Sequence, residues 1–234
     1  MTDVRVVSLV PSVTETLHAW GREAVACTRF CERDDLPHVG GTKNPDVAAI
    51  VELAPDLVVV DAEENRREDA EALRAAGLEV HVLHVRSLAD VDEQLPRLSV
   101  AVGADPLAGD SVVPAPVEAR LRAVVPIWRR PWMTIGPATY GASLLRAVGV
   151  EVVPGDRGDY PEAELDELAA LSPDLLLVPD EPYAFSERHR DELEVVAPVT
   201  FVDGKDLFWW GARTAGAIHR LGELVAGLHA RPLT

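Results

Sequence analysis

Lysine is nearly missing from this chain of 234 residues: Lys43 and Lys205 are the only two, and every other basic side chain is arginine. With 39 acidic side chains the formal charge is -17, which disfavours nonspecific binding to nucleic acid or to an anionic membrane surface. No run approaches the roughly 18 apolar residues of a membrane-spanning helix, so no membrane insertion is expected. Nothing resembling a charged leader, an apolar core segment or a small-residue cleavage site precedes the strand pattern that begins at Val4, and a cytoplasmic protein is expected on that ground. Two cysteines make no disulfide framework. Cys27 and Cys31 would stand about 13 Å apart on an extended segment, so free thiols are expected unless the chain turns sharply between them. Signatures of catalysis are sparse as well. The chain has no G-x-S-x-G, no G-x-x-x-x-G-K, no H-E-x-x-H and no G-x-G-x-x-G.

What the chain does have is hydrophobic content, 47%, ample for a packed core, and an internal repeat. VVSLVPSVTETLHAWG (6 to 21) runs from an apolar stretch through a proline turn into an amphipathic helix, and WMTIGPATYGASLLRAVG (132 to 149) reads the same way. IVELAPDLVVVD (50 to 61) parallels LAALSPDLLLVPD (168 to 180): a helix end, a Pro-Asp turn and a continuous apolar run suited to a parallel strand buried on both faces. The expected fold is α/β, with two Rossmann-like lobes of parallel sheet joined by a helical linker and a ligand cleft between the lobes. The boundaries are 1–103 for the first lobe, 104–130 for the linker and 131–234 for the second lobe.

First-lobe strands are expected near 4–10, 24–30, 57–61 and 79–84, with helices near 12–20, 45–54, 64–76 and 87–103. Ser12 and Glu15 have the spacing of a capping box, and Gly21 and Gly77 suit helix ends. Second-lobe strands are expected near 132–136, 150–153, 174–178 and 198–202, with helices near 140–148, 162–171, 186–195 and 212–229. Within the linker EARLRAVV reads as helix, although Gly109, Pro114 and Pro116 break or delay it.

Ligands of open parallel sheets sit beyond the strand carboxyl ends. Phe30, Tyr140, Tyr160, Tyr183, Phe185, Phe208, Trp209 and Trp210, eight of the twelve aromatics, fall in or beside those loops, which suggests a cleft lined with flat side chains. The competing reading is that they seal the ends of each sheet. Lys43 beside Asn44, and Lys205, lie in turns where they would hold an anionic ligand group or simply be solvated. Asn65 and Arg66 would hydrogen-bond a ligand rim, while Glu63 and Glu64 suit a helix start. Pro11 and Ser12 form the turn after the first strand. Of the metal candidates, His81 and His84 point to opposite faces of a strand, leaving His84 at its end and Cys31 as weak single ligands. In VDGKDLFWWGAR (202 to 213) one tryptophan is expected to pack inward on the second lobe and the other to face the ligand, with Arg213 paired to Asp206 or reaching a ligand carboxylate. Asp180 and Glu181 beside Tyr183 form the nearest thing to an acid/base cluster, which an enzyme acting on a cofactor or its precursor would use.

RVVSLVPSVTETLHAWG, VGGTKNPDVAAIVELAPDLVVVD and AAGLEVHVL resemble the class III periplasmic binding proteins, the vitamin B12-binding and iron-siderophore-binding components of ABC transporters also called helical backbone metal receptors. The resemblance implies a non-catalytic protein that holds cobalamin or another corrinoid, haem or a ferric chelate between two lobes as its ligand, with no cofactor required. A stiff helix spanning both lobes is implied too, which the Gly/Pro-rich linker would shorten or kink. For an exported member the resemblance also implies one surface glutamate per lobe that docks on an ABC permease. In NRRED (65 to 69) Glu68 is available, with Arg66 and Arg67 beside it opposing a basic surface. Two further readings stand beside this one, the cofactor enzyme and a protein-interaction module that reuses the fold.

Overall fold

The apolar runs LVVVD and LLLVP are strands buried along their whole length, and each anchors a four-stranded sheet. The structure, a computed structural model, describes residues 4–104, 113–115 and 117–229. It divides into two units. Among the described residues the first takes 4–85, 89–104 and 210–212, and the second takes 86–88, 213–229 and the described part of 113–209.

In the first unit β1 (Val6–Ser8) leads into α1 (Pro11–Ala19), followed by β2 (Ala24–Cys27), a short hairpin of β3 (Gly40–Gly41) and β4 (Asn44–Pro45), α2 (Val47–Leu53), β5 (Leu57–Asp61), α3 (Arg67–Ala75), β6 (Val80–Leu83) and α4 (Leu88–Ala101). Its sheet is parallel in the order β2-β1-β5-β6. In the second unit β7 (Leu121–Val124) is followed by the hairpin of β8 (Pro126–Trp128) and β9 (Met133–Thr134), α5 (Tyr140–Ala147), β10 (Val150–Val152), α6 (Leu165–Ala170), β11 (Leu175–Pro179), a single 3-10 turn (Glu187–His189), α7 (Arg190–Leu193), β12 (Val199–Val202), α8 (Gly204–Phe208) and α9 (Thr214–His229). Its sheet is parallel in the order β10-β7-β11-β12. Taken in chain order, the sheet strands of each unit lie second, first, third, fourth, so the repeat seen in sequence is a repeat of topology.

The Pro-Asp turn is the same latch in both units. Asp56 accepts the Arg5 backbone N–H at 2.9 Å while the Arg5 guanidinium caps the Leu53 carbonyl at 2.8 Å. Asp174 accepts from the Arg122 N–H at 2.7 Å, and Arg122 caps the Leu171 carbonyl at 2.8 Å. Each latch satisfies both the start of a central strand and the orphan carbonyls of the preceding helix. Separate cores lie beneath. Val7, Leu9, Ile50, Val58, Val60 and Leu73 pack in the first unit, and Val124, Trp132, Leu168, Leu176, Val178 and Leu193 in the second, each large aliphatic contributing about 1.5–3 kcal/mol by leaving water.

Several expectations change. EARLRAVV contains β7, not a helix: Leu121, Ala123 and Val124 are buried between β10 and β11 while Arg122 points out, so burial in the sheet overrides the helix propensity of Ala, Arg and Leu. The counterpart of β1 is therefore β7, and the segment near 132–136 supplies only β9 of an antiparallel hairpin inserted before α5. Part of the expected linker, residues 105–112 and 116, lies outside the described residues. Ser12 is not a cap: α1 starts one residue earlier at Pro11, its N-cap is Val10, and no side chain bonds there, because proline at the first helical position leaves one fewer N–H to satisfy. The turn expected at Lys205 is helical and forms α8. It is a single turn capped by Asp203, whose carboxylate accepts the Lys205 N–H at 2.9 Å.

Candidate ligand-binding site

At the carboxyl end of β12 in the second unit, α8 and the chain after it gather three predicted residues. The Lys205 ammonium lies 5.2 Å and the Arg213 guanidinium 5.6 Å from the Trp209 ring centre, both in cation–π range. The indole of Trp209 is also a hydrogen-bond partner of Glu181, whose carboxyl is raised above the ordinary range chiefly by burial. Arg213 pairs with Asp206 at 3.2 Å, one of the two outcomes expected from sequence, and Arg220 grips the same buried carboxylate at 2.6 Å and 2.7 Å. Cation and ring are thereby held together, half-buried, on α8 and the chain just after it.

The second unit also holds a cavity of about 390 Å³ whose polar lining is Arg86, Ser87, Thr139, Ser143 and Arg146. Arg86 is paired with Asp159. Arg146 reaches back to the Pro137 carbonyl at 3.2 Å. Ser143 Oγ accepts the Leu88 N–H at 3.1 Å, and Thr139 caps α5 by accepting from Ala142 N–H while donating to the Gly136 carbonyl. Two guanidiniums and a row of hydroxyls are suited to an oxyanion, since the guanidinium fork matches carboxylate and phosphate geometry. Sequence reading missed all five residues. The lining joins segments some fifty positions apart, and in an arginine-rich chain no single arginine stands out.

The remaining aromatics divide. Phe30 and Tyr160 are exposed, at 50% and 45%, with the Arg29 guanidinium 4.8 Å over the Phe30 ring. Tyr183 and Phe185 pack at 4.6 Å, and Phe185 stacks on Trp132 in the second core, so this pair seals the end of a sheet. Tyr140 is buried, with its hydroxyl 3.1 Å from Thr214 Oγ1, and Phe208 is half-buried beside Gly141. Trp210 is the inward tryptophan, but it belongs to the first unit. There Gly211 holds a left-handed φ of 114°, where a Cβ would run into Thr16, and Ala212 N–H donates to Thr16 Oγ1 at 3.1 Å.

In the first unit the predicted polar residues bond chiefly to the protein itself. Asn65 is buried: its amide donates to the carbonyls of Leu9 (3.1 Å) and Thr42 (2.9 Å) and accepts the Asp61 N–H at 2.8 Å. Lys43 donates to the Glu63 carbonyl at 2.8 Å, and Asn44 is exposed on β4. Arg66 forms a two-pronged pair with Asp69, both bonds 2.9 Å, and Arg67 pairs with Glu71 at 2.7 Å. His84 lies just past β6, 3.1 Å from a Glu63 oxygen. Pro11 and Ser12 are buried at the start of α1, and Ser12 Oγ has no hydrogen-bond partner among the described residues. Asp61, ending β5, has a carboxyl raised to about 6 by burial, against the N–H groups of Glu63, Val85 and Glu64 that pull it down.

The cysteines depart from the extended-chain estimate. A turn closed by the Cys31 N–H to the Thr28 carbonyl, 3.1 Å, brings the two thiols into hydrogen-bond contact, so separation along the chain does not keep them apart. Among the described residues no group of three or more His, Cys, Asp or Glu is placed to hold a metal ion, and no helix is long and apolar enough to cross a membrane.

No family model and no curated protein matches the chain. Solved structures do. The periplasmic vitamin B12 binding protein of Vibrio cholerae is 16% identical, with a TM-score of 0.80 over 97% of this chain and 98% of that one. A periplasmic heme binding protein from Pseudomonas aeruginosa is 19% identical, TM-score 0.78 over 98% and 95%. The periplasmic heme-binding protein RhuT from Roseiflexus sp. RS-1 is 20% identical, TM-score 0.76 over 94% and 97%. The expected cytoplasmic location is corrected by this finding, since these neighbours are periplasmic proteins. Two α/β units with matching parallel sheets, aligned almost end to end with these proteins, give the chain the fold of the class III periplasmic binding proteins.

Proposed function

We propose that this chain binds, without chemistry, a large planar metal chelate, a corrinoid or a haem, and presents it to an ABC permease. The observation that carries this reading is that the second unit holds both a tryptophan ring in cation–π range of Lys205 and Arg213 and a cavity lined by Arg86 and Arg146, in a chain of net charge -17. A macrocycle offers a flat apolar face for an aromatic ring and carboxylate, phosphate or amide groups at its edge for cations and hydroxyls. Likeness of fold, over nearly the whole chain, to proteins that bind vitamin B12 or heme supports the ligand class. Arg66 and Arg67 pair with Asp69 and Glu71, and Glu68, exposed although 3.7 Å from Arg66, is the candidate carboxylate for a permease contact of the kind the sequence resemblance implies.

Calorimetric titration with haem, cobalamin, cobinamide and a ferric siderophore tests the proposal. Micromolar or tighter binding of at least one, weakened tenfold or more by Arg86→Ala with Arg146→Ala when the ligand carries an anionic edge, is expected. Four flat titrations with folded protein would overturn it.

A further inference from the structure

Four side chains meet where β2 ends. The Cys31 sulfur accepts from the Thr14 hydroxyl at 3.3 Å, stands 3.2 Å from the Thr28 hydroxyl, and is in hydrogen-bond contact with the Cys27 thiol. The Phe30 N–H donates to Thr28 Oγ1 at 3.3 Å, and with the Cys31-to-Thr28 backbone bond it holds the turn that folds one sulfur back on the other. Both cysteines are free and buried, Cys27 completely and Cys31 at 4% exposure.

We propose that Cys27 and Cys31 are a redox pair that a hydroperoxide closes to an intramolecular disulfide. This does not depend on the ligand assignment. The two thiols differ in character. The Cys27 thiol and the two threonine hydroxyls stabilise negative charge on Cys31, lowering its thiol below the ordinary range against the opposing effect of burial. The Cys27 thiol, whose proton is held between the sulfurs and which is buried, is raised. Thiolate, not thiol, is the nucleophile. The Cys31 thiolate attacks one peroxide oxygen; an S–O bond forms, the O–O bond breaks, and hydroxide leaves to take up a proton as water. Cys27 then gives up its proton and attacks the Cys31 sulfenic sulfur; the S–S bond forms, the S–O bond breaks, and the second water departs. Two thiols are oxidised and one peroxide is reduced to two waters. Burial favours this oxidant over bulkier ones, because hydrogen peroxide is close to water in size.

The experiment treats the reduced full-length protein with stoichiometric hydrogen peroxide and follows it by thiol titration after denaturation and by mass spectrometry of a fragment carrying both cysteines. The expected result is loss of both titratable thiols and of two hydrogens from that fragment, reversed by dithiothreitol. Cys27→Ser should stop at a Cys31 sulfenic acid that dimedone traps once the protein is denatured, and Cys31→Ser should keep its Cys27 thiol. Two persistent thiols in the treated wild type, or oxygen added to the cysteines with no loss of two hydrogens, would overturn the proposal, and neither readout requires the variants to fold.

Discussion

Where β5 ends in the first unit, the chain is fastened to its own neighbours: the buried Asn65 makes three bonds to backbone, Lys43 holds the Glu63 carbonyl, and Asp61 collects N–H groups. Where β12 ends in the second unit, the chain carries a half-buried tryptophan in cation–π range of two cations, at the end of a helix of one turn. The strand order is the same in both places, so the sheet does not decide the difference. It lies in where the polar side chains find their partners. One edge spends them on stability, and at the other two cations lie within cation–π range of a half-buried ring.

The sharpest way to break that comparison is Asn65→Ala. Each buried hydrogen bond contributes about 1 kcal/mol, and a partner left unsatisfied costs about 1–3 kcal/mol, so removing an amide that serves the Asp61 N–H and the Leu9 and Thr42 carbonyls should cost about 3–5 kcal/mol. Urea denaturation should show a lower midpoint with an unchanged slope. A loss below about 1 kcal/mol, with chelate binding abolished, would make Asn65 a ligand residue after all and erase the contrast.

Asp61 gives the next effect, through pH. An unfolded aspartate titrates near 3.9, whereas burial raises this carboxyl to about 6 in the fold. A raised folded value means that the fold prefers the protonated form. The contribution is complete below about pH 4, is lost as pH rises to about 6, and amounts to about 2–3 kcal/mol. Asp61→Asn carries a constant penalty, because its amide NH2 must face one of the backbone N–H groups now served by the two carboxylate oxygens. The difference in unfolding free energy between wild type and Asp61→Asn should therefore move against the wild type from pH 4 to pH 6 and be flat above pH 7. A pH-independent difference would refute the assignment.

The parts of this molecule that could be read in the sequence are those whose physics is local. LVVVD and LLLVP announce buried parallel strands because both faces are covered, and their Pro-Asp starts recur because the same latch to Arg5 and Arg122 is needed twice. β7 escaped because ARLRAV satisfies a helix as well as a strand, and only its place between β10 and β11 settles it. The guanidinium cavity escaped because its walls come from the chain after β6 and from α5. The thiol contact escaped because it depends on a four-residue turn with no glycine or proline to mark it.

The adjacent tryptophans show the same limit at single-residue scale and supply the smallest expected effect. Sequence predicted that one packs inward and the other is presented, without saying which; in the structure Trp210 is buried in the first unit, while Trp209 stays half-buried between Lys205 and Arg213. Trp209→Ala removes the flat face and should weaken chelate binding by about 1–3 kcal/mol, in keeping with an aromatic hot spot, while the melting temperature moves little. Trp209→Phe keeps a ring of smaller face and should recover part of the affinity, which separates loss of stacking from a general disturbance of α8. Trp210→Ala should do the reverse, lowering stability first. If both alanine variants bind every tested chelate as the parent does, the ring–cation group at β12 is a structural cluster like that of Tyr183 and Phe185, and the contrast between the two carboxyl edges loses its functional meaning.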